Sequence, residues 1–241
     1  MTQPSAPPVR STRRTARTVG IVTLGTVLAA CGTTVTGHPT AVRNPAPVAT
    51  ADQTLTAMLP DPSKFPARYT AVVLSPETAA QAAYDLEGYL PGAQVDPSTC
   101  APVAPKTGPA VSVGTDDHGQ ATLTVVLTRP GKPLSTLRDQ LRQCGTVKVG
   151  HTGVTSVVTT QLDPPPPVIA DDSLALRRTV GPENRPGGPE NRDGLTRSMQ
   201  TLIGQVGEVR VAVTYMTSGS TSDTEALDTL FTAAVRKVRK G

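Results

Sequence analysis

From position 208 to 216 the chain sets Val209, Val211, Val213 and Tyr215 against Glu208, Arg210 and Thr214. A period of two belongs to a strand with one face on a core and the other toward water, and no helix satisfies it. The segment 121–128 repeats the pattern, with Leu123, Val125 and Leu127 opposite Thr122, Thr124 and Thr128. It predicts a half-buried antiparallel strand. Further strands are expected at 69–74, 110–113, 146–149, 154–161, 173–180 and 197–205. Asp116-Asp117-His118-Gly119 reads as a hairpin turn, and Gly207 as the turn ahead of the last strand.

Four helices fit between these strands. Leu55, Met58 and Leu59 suggest a short one that stops at Pro60-Asp61-Pro62. Ser75-Pro76-Glu77 supplies an N-cap, a proline at the first helical position and an acidic first turn. Pro133 opens a third, with Leu134, Leu137, Leu141 and Cys144 on one face and Gly145 as its stop. The fourth starts at Ser222, which has capping-box spacing to Glu225, and carries the stripe Leu227, Leu230, Phe231, Ala234, Val235 and Val238. Residues 91–109 read as loop. The pattern predicts an α+β fold, a mainly antiparallel twisted sheet with helices packed on one face, in a single domain over residues 52–241.

Charge excludes one class of partner. Of the 23 basic residues, Arg10, Arg13, Arg14 and Arg17 precede position 31 in a stretch with no acid, which leaves 19 basic against 19 acidic residues in the rest. A neutral body has no electrostatic footprint for a phosphate backbone, so no nucleic acid is expected as partner. The cluster Arg236, Lys237, Arg239 and Lys240 suits the C-terminal end of a helix dipole and reads as a solvated helix end, with a membrane-binding patch as the other reading.

The arginines belong to an address. Residues 1–18 are polar and Arg-rich, residues 19–30 are apolar and small, and Leu28-Ala29-Ala30-Cys31 follows. A spanning helix needs about 20 apolar residues, and this stretch falls short of that. It fits a signal peptide over residues 1–30, cleaved between Ala30 and Cys31. An ordinary signal peptide with an incidental cysteine is the alternative. Thr12-Arg13-Arg14 faintly suggests the twin-arginine export route, against the general secretory one. Residues 32–51 are rich in Thr, Pro and Ala without periodicity. They read as a tether reaching ~25 Å.

With Cys31 set aside, Cys100 and Cys144 form an even pair, expected to be a disulfide in an oxidising compartment. Free thiols or metal ligands are the alternatives, but no Cys-x-x-Cys or Cys/His cluster is present. The near-perfect tandem heptad at 181–194 reads as a duplicated flexible loop, more a tolerated insertion than a binding epitope.

Catalytic patterns are missing: no Gly-x-Ser-x-Gly, Ser-x-x-Lys, His-Glu-x-x-His or phosphate-binding loop occurs. Asp116, Asp117 and His118 can in principle ligate a cation but read as a solvated turn. His38 falls in the tether, His151 in a loop, and Asp171-Asp172 at the start of a strand. No catalytic residue, metal ligand or cofactor is assigned.

Leu28-Ala29-Ala30-Cys31 resembles a bacterial lipobox, and together with the segment 59–69 (Leu-Pro-Asp-Pro-Ser-Lys-Phe-Pro-Ala-Arg-Tyr), Asp96-Pro97-Ser98-Thr99-Cys100-Ala101-Pro102, the helix ending at Cys144 and the amphipathic C-terminal helix it carries a wider resemblance. Over most of residues 52–240 the chain resembles mycobacterial lipoproteins with an uncharacterised extracytoplasmic domain. It is more distantly similar to the sensor domain of the receptor kinase PknH, which is rich in disulfides and has a cleft for an unidentified ligand. The lipobox implies that Cys31 receives diacylglycerol and an acyl chain such as palmitate, and becomes the N-terminus of a protein anchored on the extracytoplasmic face. The resemblance implies a non-catalytic, sensor-like module that binds a small or lipidic envelope ligand or a partner protein. An envelope hydrolase or transferase with an unrecognised site is the alternative. A passive surface or structural lipoprotein is another.

Overall fold

Val213 sits in β9 (Val209–Thr217) between Val125 of β4 (Ala121–Thr128) and Leu202 of β8 (Arg197–Val206). This is next to the central strand of a nine-stranded antiparallel sheet. Around it lie β1 (Tyr69–Val73), β2 (Gln94–Asp96), β3 (Ala110–Asp116), β5 (Thr146–His151), β6 (Val154–Asp163) and β7 (Asp172–Pro182), in the order β1-β3-β4-β9-β8-β7-β6-β5-β2. The computed structural model describes residues 53–102, 107–118, 120–183, 196–218 and 222–241, all of which lie in one compact unit. The expected signal peptide, Cys31 and the expected tether fall outside the described residues, as does most of the tandem heptad. Its first two residues, Gly181 and Pro182, extend β7 and pair with Val157 and Ser156.

The alternation of β9 puts Val209, Val211, Val213 and Tyr215 into the main core. There they meet Leu227, Leu230, Phe231, Ala234, Val235 and Val238 of α4 (Thr224–Lys240), with Leu55 of α1 (Gln53–Ala57) beside them. Each buried valine, leucine or phenylalanine among them contributes roughly 2 kcal/mol. The cap of α4 is Asp223, not Ser222: its Oδ1 accepts the Ala226 N–H, while Oδ2 accepts from Arg68 and from the Tyr69 hydroxyl. Ser222 instead donates to Gln200. The residue that also ties down β1 wins the cap.

The helices do not share one face. On the other side of the sheet, α2 (Pro76–Glu87) sets Ala79, Ala82, Ala83 and Leu86 against Val111, Val126 and Ala212. Likewise α3 (Leu134–Gln143) sets Leu134, Leu137 and Leu141 against Leu174, Leu176 and Ile203. Val126 and Ala212 are one residue out of step with Val125 and Val213, so they point the opposite way. The fold is α+β with the sheet between two helical layers. For the same reason β4 is not half-buried: Thr124, on its polar face, is 3% exposed beneath this second layer. A threonine presents a methyl group as well as a hydroxyl, which lets that face be roofed.

The stretch read as loop contains β2, which pairs with β5 at the sheet edge, and a 3₁₀ turn over Ser98–Cys100. Cys100 is bonded to Cys144, at the end of α3, with their Cα atoms 5.7 Å apart. Gly88 ends α2 at φ +76°, and a Cβ there would stand 2.9 Å from Val180 Cγ2. Only glycine meets both demands.

Candidate functional site

The second helical layer leaves a gap. Between α2 and α3, above the sheet, lies a cleft of about 230 Å³. Small side chains create it: Ala80 and Ala83 on the helix side, Ala212, Thr201 and Thr214 on the floor. Aromatic residues make up 2% of the chain and Trp is absent, so little is available to fill such a space. Leu137, Leu141, Leu176 and Ile203 make the lining mostly apolar. The remaining wall is Pro102 with Thr107, Gly108 and Pro109. Pro102 follows Cys100 closely, so the disulfide ties this wall to the end of α3.

Polar groups enter at defined points. On the floor the hydroxyls of Thr201 and Thr214 are 2.9 Å apart in a hydrogen bond. In the wall the buried Thr107 hydroxyl has no partner among the described residues. At the end of α2, Arg178 Nη1 donates to the Leu86 carbonyl (2.9 Å) and Nε to Thr160 Oγ1 (3.2 Å). The Leu86 carbonyl is one of those that a helix leaves unsatisfied at its C-terminus, where a cation also complements the dipole. Burial pulls the Arg178 pKa down, with Glu87 opposing. A guanidinium remains charged nonetheless.

Glu87 also lines the cleft. Its side chain is exposed at the rim, and the neighbouring walls desolvate the carboxyl in part. That desolvation raises its pKa, while Arg178 and Arg210 pull it back. The folded state therefore holds this proton more tightly than the unfolded chain does. The resulting stability is complete below the ordinary value of 4.5 and is lost as pH rises through the raised one. Glu87→Gln removes this dependence. Denaturant midpoints should favour the variant over the parent more at pH 7 than at pH 4, by a margin set by the raised value, and equal differences would refute the desolvation.

A second cavity, about 340 Å³, borders the end of α2 and the β5–β6 hairpin, with His151 and Arg197 in its walls. Of the other sequence candidates, Asp116, Asp171 and Asp172 make structural hydrogen bonds. Asp116 Oδ1 accepts the N–H groups of Gln120 and Ala121 and so closes the β3–β4 turn, while His118 is exposed. Asp171 accepts from the Gly207 N–H, and Asp172 from Arg138 and the Ser173 N–H. His38 lies outside the described residues. Among the described residues no three His, Cys, Asp or Glu side chains are grouped to hold a metal. No helix among them is long and apolar enough to cross a membrane.

Sequence reading missed Glu87, Arg178, Thr201 and Thr214. One of them left a signal. Leu174, Leu176, Arg178 and Val180 share a face of β7, so Arg178 is a charge on an apolar parity.

No family model matches the chain, and no curated protein does. Among solved structures it is similar to an uncharacterised protein from Mycobacterium smegmatis, at 16% identity and a TM-score of 0.43, over 73% of this chain and 92% of that one. It is also similar to the extracellular domain of PknH from Mycobacterium tuberculosis, at 15% identity and a TM-score of 0.40, over 80% of this chain and 98% of that one.

Proposed function

We propose that the chain is a membrane-anchored, extracytoplasmic lipoprotein whose domain binds a small or lipidic ligand in the cleft between α2 and α3 and performs no chemistry on it. The observation that carries this reading is the cleft itself: apolar walls, a hydroxyl pair on the floor, a Thr107 hydroxyl without a partner among the described residues and a half-buried guanidinium at one end. Apolar walls with a few fixed polar groups suit an apolar body with one polar end. Arg178 and the threonine pair are held by other protein groups, an arrangement that orients a ligand rather than attacks it. The leader ending in Ala30-Cys31 supports the anchor, and the Cys100–Cys144 disulfide supports an oxidising compartment.

Native mass spectrometry of protein extracted in mild detergent from its own envelope tests both halves. The expected species begins at Cys31 with diacylglycerol attached and retains a bound small molecule. Ala80→Phe fills the gap without disturbing the sheet and should abolish that retention while the acylated mass persists. A chain that keeps residues 1–30 refutes the anchor. A ligand-free parent, or a ligand held equally by the Ala80 variant, refutes the cleft as its site and leaves the passive surface protein.

A further inference from the structure

The two ends of the sheet differ in charge. At one end Thr128 closes β4, Val206 closes β8, Val209 opens β9 and Asp172 opens β7. α4 runs toward this end, since Phe231 and Val235 lie against Gly204 and Arg239 Nη1 donates to the Ile169 carbonyl. Its last turns present Arg236, Lys237, Arg239 and Lys240, all exposed. Beside them Ile169, 77% exposed, stands on the connection that follows the prolines at 164–167. Arg129 and Lys132 follow β4 at the same end.

The acids here are fewer and engaged. Glu208 pairs with Arg129, Asp171 accepts from the Gly207 N–H, Asp172 pairs with Arg138, and Asp61, in the field of Lys237, accepts from the Ser63 N–H. The opposite end carries Asp116, Asp117, Asp223 and Glu225, with Arg68 and Arg197. Among the described residues, charge is thus polarised along the strands.

The described chain also begins at the basic end: Arg129 Nη2 donates to Thr54 Oγ1, in α1, at 3.1 Å. A tether from Cys31 therefore joins the domain where the cations and the exposed isoleucine are.

We propose that this end docks on an anionic phospholipid surface, with Ile169 among the headgroups and the last turns of α4 over the phosphates. An exposed apolar side chain flanked by lysine and arginine is the composition of an interfacial anchor. Each basic residue near an anionic bilayer adds roughly fivefold to partitioning, within a screening length of about 8 Å. A tether of ~25 Å keeps the domain within reach, so a weak contact suffices. Docking would bring Gly108, Pro109 and Thr128 of the cleft wall to the lipid side. The inference goes beyond ligand binding and does not require it.

Residues 44–241 contain every described element and both packed faces of the sheet, so they form a folding unit that lacks Cys31 and any acyl chain. This unit should float with phosphatidylcholine vesicles containing about one-third phosphatidylglycerol and not with phosphatidylcholine alone, and high salt should release it. Lys240→Glu is expected to reduce the bound fraction about tenfold or more, and Ile169→Asp also to reduce it. Arg197→Glu makes the same change in net charge at the far end and should leave binding within about twofold. Binding to neither vesicle, equal binding to both, or equal losses in the Lys240 and Arg197 variants overturns the proposal.

Discussion

Replacing Cys100 and Cys144 together by serine is expected to lower the stability of the domain by about 4 kcal/mol, a fall in melting temperature of roughly 8–16 °C. The bridge spans 44 residues, and a closed loop of that length sets the magnitude in the chain-entropy account. That loop holds β3, β4 and α3, so the cross-link restrains a large part of the unfolded chain. It also joins a small core, in which Cys100 packs with Val147, Val149 and Val158. Calorimetry with and without reductant measures the loss, and intact mass shows the two hydrogens gained. Because the effect acts chiefly on the unfolded state, the denaturant slope should increase in the reduced form. A melting temperature unchanged on reduction would remove the bridge from the stability account. The second consequence is local: without the bond, the wall at Pro102 and Thr107 is no longer tied to α3, so ligand retention should fall before the fold does.

The strands were readable because their alternation is local. Val209, Val211 and Val213 announce their own geometry, as do Leu123, Val125 and Leu127. Strand order was not, because pairing joins distant segments: Val125 meets Val213, and nothing near either residue specifies the other. The second helical layer escaped for a chemical reason. Its helix α2 is rich in alanine, which gives a weak apolar stripe, and the face it covers on β4 carries threonines that read as solvent-facing. A three-residue edge strand such as β2 is too short for any period to show.

The cleft was illegible for a related reason. It exists where side chains are small, and a gap has no sequence signature of its own. Its floor comes from Thr201 and Thr214 on adjacent strands, and its roof from α2, more than a hundred residues earlier. Arg178 alone stood out of pattern, and a charge on the core parity of a strand must be satisfied or expelled. By contrast, the address proposed at Cys31 would be a short linear motif, of the kind that export machinery reads before folding. On that reading, compartment and cleft are encoded at different levels of the same chain.

The satisfaction of Arg178 leads to the second large effect. Arg178→Met keeps much of the volume but leaves the Leu86 carbonyl and the Thr160 hydroxyl without their donor. Hydrogen bonds to a charged group are worth about 1.5–3 kcal/mol each. Relief of the partly buried charge and the packing of the methionine offset part of that. A net loss of about 3 kcal/mol in a urea titration is expected. Arg178→Lys should recover only part, because one ammonium does not reproduce the planar fork that reaches a carbonyl and a hydroxyl at once. The partner test is Glu87. Without Arg178 the Glu87 carboxylate loses the cation that opposes its desolvation, so its pKa should climb further. Adding Glu87→Gln to Arg178→Met should therefore restore stability at neutral pH by more than Glu87→Gln does alone. Additivity of the two changes would mean that they do not share an electrostatic environment. A loss below about 0.5 kcal/mol for Arg178→Met would show that the arginine is not the group that closes α2.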